Sequence, residues 1–297
     1  MHRWLTASAQ AASHVADRSS LWLPGALAWM VTVGWLALII GVATPPTVAE
    51  LTFFGADTFT SGLWPWNGIA IVVVALLLIG LAIALASVAE AALLHGRRAS
   101  PAEVRATFVV GVICVIPLLV TAVAFGAALF VIAPGTFNDP NPEGGPLLRT
   151  TLAVAPFAAA MVLAAMLGSA VHAGAIRARA EAGGPWSALA AAPRALGRAG
   201  AAAVVQIVAH FVARIGYLVL ATVLMRVLWA PIEVRLSEEG FGVAVGLLLV
   251  GFVAIWLCLV LAGGALHAWG SVTWTRLLEA RGRDAGAVAQ MESRSRP

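Results

Sequence analysis

Three ionisable side chains recur in matching phrases: Ala86-Ser-Val-Ala-Glu90-Ala, Gly168-Ser-Ala-Val-His172-Ala and Gly263-Gly-Ala-Leu-His267-Ala. One carboxylate and two imidazoles are the donor set of a 2-His-1-carboxylate metal site. A histidine in an apolar run also suits a haem or chlorin iron or magnesium. Against both, each of these residues occurs singly and none forms a Glu-x-x-His pair. Two further chemistries fit the same residues. One is an interhelical hydrogen-bond cluster that specifies packing. The other is a cytoplasm-open polar cavity that takes an anionic headgroup or small solute on an arginine.

That arginine is Arg214. Gln206, His210, Arg214 and Tyr217 fall at i, i+4, i+8 and i+11 of a run otherwise made of Ala, Val, Ile and Leu, so a helix presents them as one stripe. A guanidinium at membrane depth costs about 2.5–3.5 kcal/mol on insertion scales and cannot deprotonate. Glu90 is the one acid inside any apolar run. The expectation is therefore a Glu90–Arg214 pair, direct or through water, with His172, His210 and His267 around it.

These residues need elements to hold them at one height. Six apolar runs, about 21–43, 67–94, 106–133, 150–175, 200–230 and 242–274, are long enough to cross roughly 30 Å of hydrocarbon. Glu90, His172 and His267 each lie 25 or 26 residues beyond an outer loop, about 38–39 Å at 1.5 Å per residue, which places them in one layer. Small residues four positions before each mark faces where helices approach closely.

The alternate ends of the runs carry a second related phrase: Val42-Ala-Thr-Pro45, Ile132-Ala-Pro134 and Trp229-Ala-Pro231. The chain thus reads as one hairpin written three times, at about 21–94, 106–175 and 200–274. The fold class predicted is all-α: a polytopic six-helix membrane domain over 1–281, with a flexible cytoplasmic tail at 282–297. The outer connections, 44–66, 134–149 and 231–241, read as loops, and Pro24, Pro117 and Pro156 as kinks.

Composition agrees. The chain is 61% hydrophobic and 11% charged, and its 18 cationic residues are all arginine. Fourteen arginines fall on one side of the runs and three on the other, which places both termini in the cytoplasm of a bacterial cell, bounded by the inner membrane. The high basicity is thereby explained without nucleic acid. Ser100-Pro-Ala-Glu-Val-Arg-Ala and Gly184-Pro-Trp-Ser-Ala-Leu-Ala-Ala-Ala-Pro-Arg-Ala-Leu predict short interfacial helices opened by proline, and the leader around Trp4, Leu5 and Val15 a third. The leader is polar ahead of the first span, so it reads as retained and not as a cleaved signal. Cys114 and Cys258 read as buried thiols, and Gly242-Val-Ala-Val-Gly246 as a packing face within the chain.

Three hairpins joined by Gly/Pro-opened cytoplasmic helices, with phrases such as Arg177 to Leu196, resemble the membrane domain attached to some glycerophosphodiester phosphodiesterases and six-helix bacterial proteins similar to it. The resemblance implies the layout alone, because the catalytic barrel is absent. No HExxH, GxSxG, Walker A or GxGxxG phrase occurs either.

The function expected is a non-enzymatic integral membrane protein that organises the envelope or assists a membrane complex, with no cofactor and no metal. Membrane lipids and membrane-protein subunits are its expected partners. Two alternatives are a transporter or lipid-handling protein using a polar cavity at Arg214, and a cofactor-bearing subunit of an energy-transducing complex.

Overall fold

Long apolar stretches leave the backbone no partner but itself, so the six long apolar runs are helix wherever they are described. A computed structural model describes residues 2–43, 57, 60–95, 99–138, 145–182, 184–238 and 240–294. Among these residues 94% are helical and no strand occurs. Helix α1 covers His2–Asp17 and α2 Ser19–Val42, the latter broken by a π turn at Met30–Gly34. Next come α3 (Trp66–His95), α4 (Pro101–Asn138), α5 (Pro146–Ala182), α6 (Pro185–Ala199), α7 (Ala201–Glu238) and α8 (Val243–Arg294). Six of them, α2, α3, α4, α5, α7 and α8, contain a stretch long and apolar enough to cross a membrane.

Helix starts obey the local chemistry. Before α4 the Ser100 N–H donates to Glu103 Oε2 at 2.6 Å and the Glu103 N–H to Ser100 Oγ at 3.3 Å, a reciprocal capping box with proline in the first helical position. Between α6 and α7, Gly200 at φ 58° returns its N–H to Leu196 O, a backbone conformation L side chains rarely adopt.

Two of the expected outer loops are shorter than composition suggests. Pro134 and Pro231 lie inside α4 and α7, which continue to Asn138 and Glu238. Proline removes one backbone donor but does not end a helix whose neighbours keep it. Thr136 Oγ1 bonds back to Ile132 O and Ala133 O across the first, and Arg226 pairs with Glu233 across the second at 3.2 Å. Pro117 and Pro156 are likewise inside helices, while Pro24 lies in the first turns of α2. The loop expected at 44–66 falls largely outside the described residues. Residues 282–294, expected as flexible tail, continue α8 as helix.

The chain divides into two compact units, one of Met1–Ala7, Arg105–Phe211 and Trp274–Pro297, the other of Ser8–Val104 and Val212–Thr273. In the first, Val110 of α4 packs with Ala175 and Ile176 of α5 and with Ala188 and Ala192 of α6. Helix α5 crosses α4 so closely that a Cβ on Gly168 would lie 2.6 Å from Cys114 O. In the second, α2 and α8 touch backbone to backbone: a Cβ on Gly25 would lie 2.2 Å from Gly264 O. Trp29 fills the space over two other glycines, Gly34 and Gly263, and meets Tyr217 edge to face at 5.5 Å.

Small residues are not close contacts everywhere. A Cβ at Gly242 or Gly246 would meet nothing within 4 Å, so the GxxxG pattern makes no tight packing against the described residues. Cys258 is exposed on α8 and Cys114 partly exposed on α4, so the chain itself encloses neither thiol.

Candidate functional site: a polar network in an apolar unit

Helical spacing sets the first half of the site. His267 and Ser271 are one turn apart on α8, so both address one face. Opposite them stands Glu90, one turn and a half before α3 ends. His267 Nε2 lies 2.6 Å from Glu90 Oε1, and Ser271 Oγ donates to Glu90 Oε2 at 3.0 Å. An ionised carboxylate only accepts, so the imidazole donates from Nε2. Both His267 and Ser271 are buried.

The second half is built on the π turn. A π turn widens the helix by one residue and redirects the side chains beyond it. Here it sets Thr32 toward α7, where Arg214 Nη2 donates to Thr32 Oγ1 at 2.7 Å. The threonine hydroxyl donates in turn to Ala28 O at 2.7 Å. The direct form of the expected Glu90–Arg214 pair is not formed among the described residues: the carboxylate is held by His267 and Ser271 and the guanidinium by Thr32. Arg214 Nε has no hydrogen-bond partner among the described residues.

The remaining stripe residues part company. Tyr217 donates to Leu259 O at 2.7 Å and packs on Trp29, closing the core of its own unit. Gln206 belongs to the other unit, fully buried, where it accepts from Trp4 Nε1 at 2.8 Å and anchors α1. His172 and His210 are half-buried residues of that same unit. Within it, Arg177 donates to Thr275 Oγ1 at 2.9 Å and to Ala173 O at 3.0 Å.

Thr32 and Ser271 escape a reading based on charges, since neither ionises. Both left a signal. Thr32 is the one hydroxyl in the first apolar run, and Ser271 stands four positions after His267.

Chemically, the Glu90–His267 contact can hold and pass a proton. It is not a serine triad, in which the imidazole stands between the hydroxyl and the acid; here the acid stands between. Among the described residues no three His, Cys, Asp or Glu side chains gather as a metal would need. No protein family, curated protein or solved structure matches the chain.

Proposed function

We propose that the chain is a non-enzymatic multi-pass protein of the bacterial inner membrane that organises the envelope or assists a membrane complex. The observation that carries this reading is Glu90, the one acid in the apolar runs, which is taken up by two groups of α8 and so holds helices together. Hydrogen bonds of this kind between membrane helices specify their packing. The exposed faces add support: Val72, Leu76, Leu77, Val120, Val123, Leu247 and Val250 are all more than half exposed, as lipid- or protein-facing side chains are.

In this reading both termini face the cytoplasm, as the arginine bias requires. The three hairpins are repeats of one unit, sharing their layout with the membrane domain of some glycerophosphodiester phosphodiesterases. Helices α1 and α6 lie along the inner surface: Trp186, Arg194 and Arg198 are exposed on α6, while Ala188 and Ala192 are buried. Membrane lipids and neighbouring membrane subunits are its partners.

Native mass spectrometry of protein released gently from its own membrane tests the proposal. The expected spectrum holds protein subunits in fixed ratio and no chromophore. A chain that emerges alone and drives solute flux in proteoliposomes overturns it.

A further inference from the structure

Helix α6 is held on one side and open on the other. At 100° per residue Ala188 and Ala192 share one face, whereas Trp186, Ala190, Arg194, Gly197 and Arg198 cluster within about 120° on the far side. Exposure agrees: both alanines are fully buried and all five of the others are exposed, Trp186 at 70%. The buried face fits without slack. Val110, Ala175 and Ile176 close over it, and a Cβ on Gly174 of α5 would lie 3.3 Å from Leu196 Cγ and 3.4 Å from Ala192 Cβ. Rolling α6 to turn its arginines inward would break this packing.

The open face carries charge that the chain leaves unanswered. Pro185–Ala199 holds two arginines and no acid. Arg198 Nε donates to Arg194 O at 3.4 Å, and neither guanidinium pairs with a carboxylate among the described residues. The two arginines are one turn apart and so address one side. The residues one turn before and one turn after Arg194 are Ala190 and Gly197, too short to cover it, and a Cβ on Gly197 would meet nothing within 4 Å.

Packing also sets the depth of this face. Leu196 and Ala199 lie against Ala170 and Ala173 of α5. At 1.5 Å per residue, Ala173 is roughly 40 Å along α5 from Pro146. A bilayer with its headgroups is about 40–45 Å thick. With Pro146 at the outer edge, the arginine end of α6 stands at the level of the inner headgroups.

We propose that Arg194 and Arg198 form a docking surface for the phosphates of acidic phospholipid in the inner leaflet, with Trp186 placed among the same headgroups. A guanidinium grips phosphate through paired N–H bonds, and the cytoplasmic leaflet carries the negative surface potential that draws arginine to it. The indole, apolar in body and polar at its tip, suits that boundary. The docking rests on the placement of α6 along the inner surface and adds the lipid class met there.

Native mass spectrometry of the full-length protein in detergent, titrated in parallel with phosphatidylglycerol and phosphatidylcholine, tests it. Wild type is expected to prefer phosphatidylglycerol about tenfold or more. An arginine beside an anionic surface contributes about fivefold in binding, so Arg194→Gln and Arg198→Gln are each expected to lower the preference about threefold to fivefold. Arg194→Lys keeps most of it, because a point charge still attracts phosphate. Arg235→Gln removes an exposed arginine from the far end of α7 and is expected to change nothing. None of these side chains lies on a packed face, so the fold is retained. Equal binding of the two lipids by wild type overturns the proposal, as does a loss in Arg235→Gln as large as in Arg194→Gln.

A second readout fixes the placement. In proteoliposomes the emission of Trp186, taken as wild type less Trp186→Phe, is expected to be quenched by phospholipid brominated near the headgroup and spared by iodide. Lipid quenching without a preference for phosphatidylglycerol overturns the charge recognition and leaves α6 at the surface. Quenching by iodide alone overturns both. Shielding from both quenchers means that a second copy of the chain covers this face, and overturns the lipid docking. The organising role is read separately, by the subunit ratio.

Discussion

Glu90 Oε1 and His267 Nε2 stand 2.6 Å apart across 177 positions of sequence, and the second carboxylate oxygen takes Ser271 one turn further along α8. Three side chains therefore tie the end of α3 to α8. Polar bonds between membrane helices contribute about 0.6 kcal/mol on average and up to about 1.7, because the separated helices find other partners. A carboxylate held by two donors belongs at the upper end. His267→Ala is expected to cost more than Ser271→Ala, and a double-mutant cycle of Glu90→Gln with His267→Ala to give a coupling of about 1–1.7 kcal/mol. Unfolding equilibria measured in mixed micelles check both; independent, additive losses would show that the contact holds nothing.

Backbone contact between α2 and α8 makes a second expectation. A Cβ on Gly264 would lie 2.4 Å from Ala26 N, and one on Gly25 2.2 Å from Gly264 O. Neither neighbour is a side chain that could swing away. Gly25→Ala and Gly264→Ala are each expected to destabilise by about 1–3 kcal/mol through overpacking. Gly251→Ala, with nothing within 4 Å, should be neutral or gain up to about 1 kcal/mol of helix propensity. Melting temperatures of the three variants side by side decide it.

The same two contacts show what a sequence can disclose here. Lipid forces every backbone group into a helix, so the six apolar stretches are legible from hydropathy alone. Glu90 and His267 are legible as one layer because helical rise converts residue counts into height. Height says nothing about direction, however. A direct Glu90–Arg214 contact rests on matching charges, and the structure instead gives each ion a hydroxyl: Ser271 beside His267 on one, Thr32 on the other. The π turn that delivers Thr32 has no residue signature, since Met30-Val-Thr-Val-Gly34 would pass as ordinary helix. Pro134 and Pro231 mislead in the opposite sense, looking like stops where the helix continues.

The capping box before α4 carries a third prediction. Ser100 and Glu103 satisfy each other's backbone N–H groups, and Glu103 Oε1 also meets His95 Nε2 at 2.8 Å, so one carboxylate joins the end of α3 to the start of α4. Ser100→Ala is expected to cost about 1 kcal/mol, the usual loss of a cap. Glu103→Gln keeps an acceptor for the cap but removes the charge facing His95, so its cost should be smaller. Hydrogen exchange at the first turn of α4 reads the difference: faster exchange in Ser100→Ala than in Glu103→Gln is expected, and the reverse order would mean that the ion pair, not the cap, starts the helix.

The leader helix gives the last. Trp4 Nε1 donates to the Oε1 of Gln206, which is fully buried, while Ala7, Ala202 and Leu277 form the small apolar cluster against which the indole packs. Trp4→Phe retains most of that packing and removes the donor. A buried amide oxygen that loses such a bond costs about 1–3 kcal/mol, and the loss falls on the attachment of the start of α1 to its unit. Limited proteolysis at Arg3 and Arg18 is therefore expected to speed up several-fold in Trp4→Phe, with the global melting temperature little changed. Gln206→Leu in the Trp4→Phe background removes the acceptor that Trp4 served and should restore part of the protection. Cleavage equally slow in all three proteins would show that α1 is held by its apolar face alone.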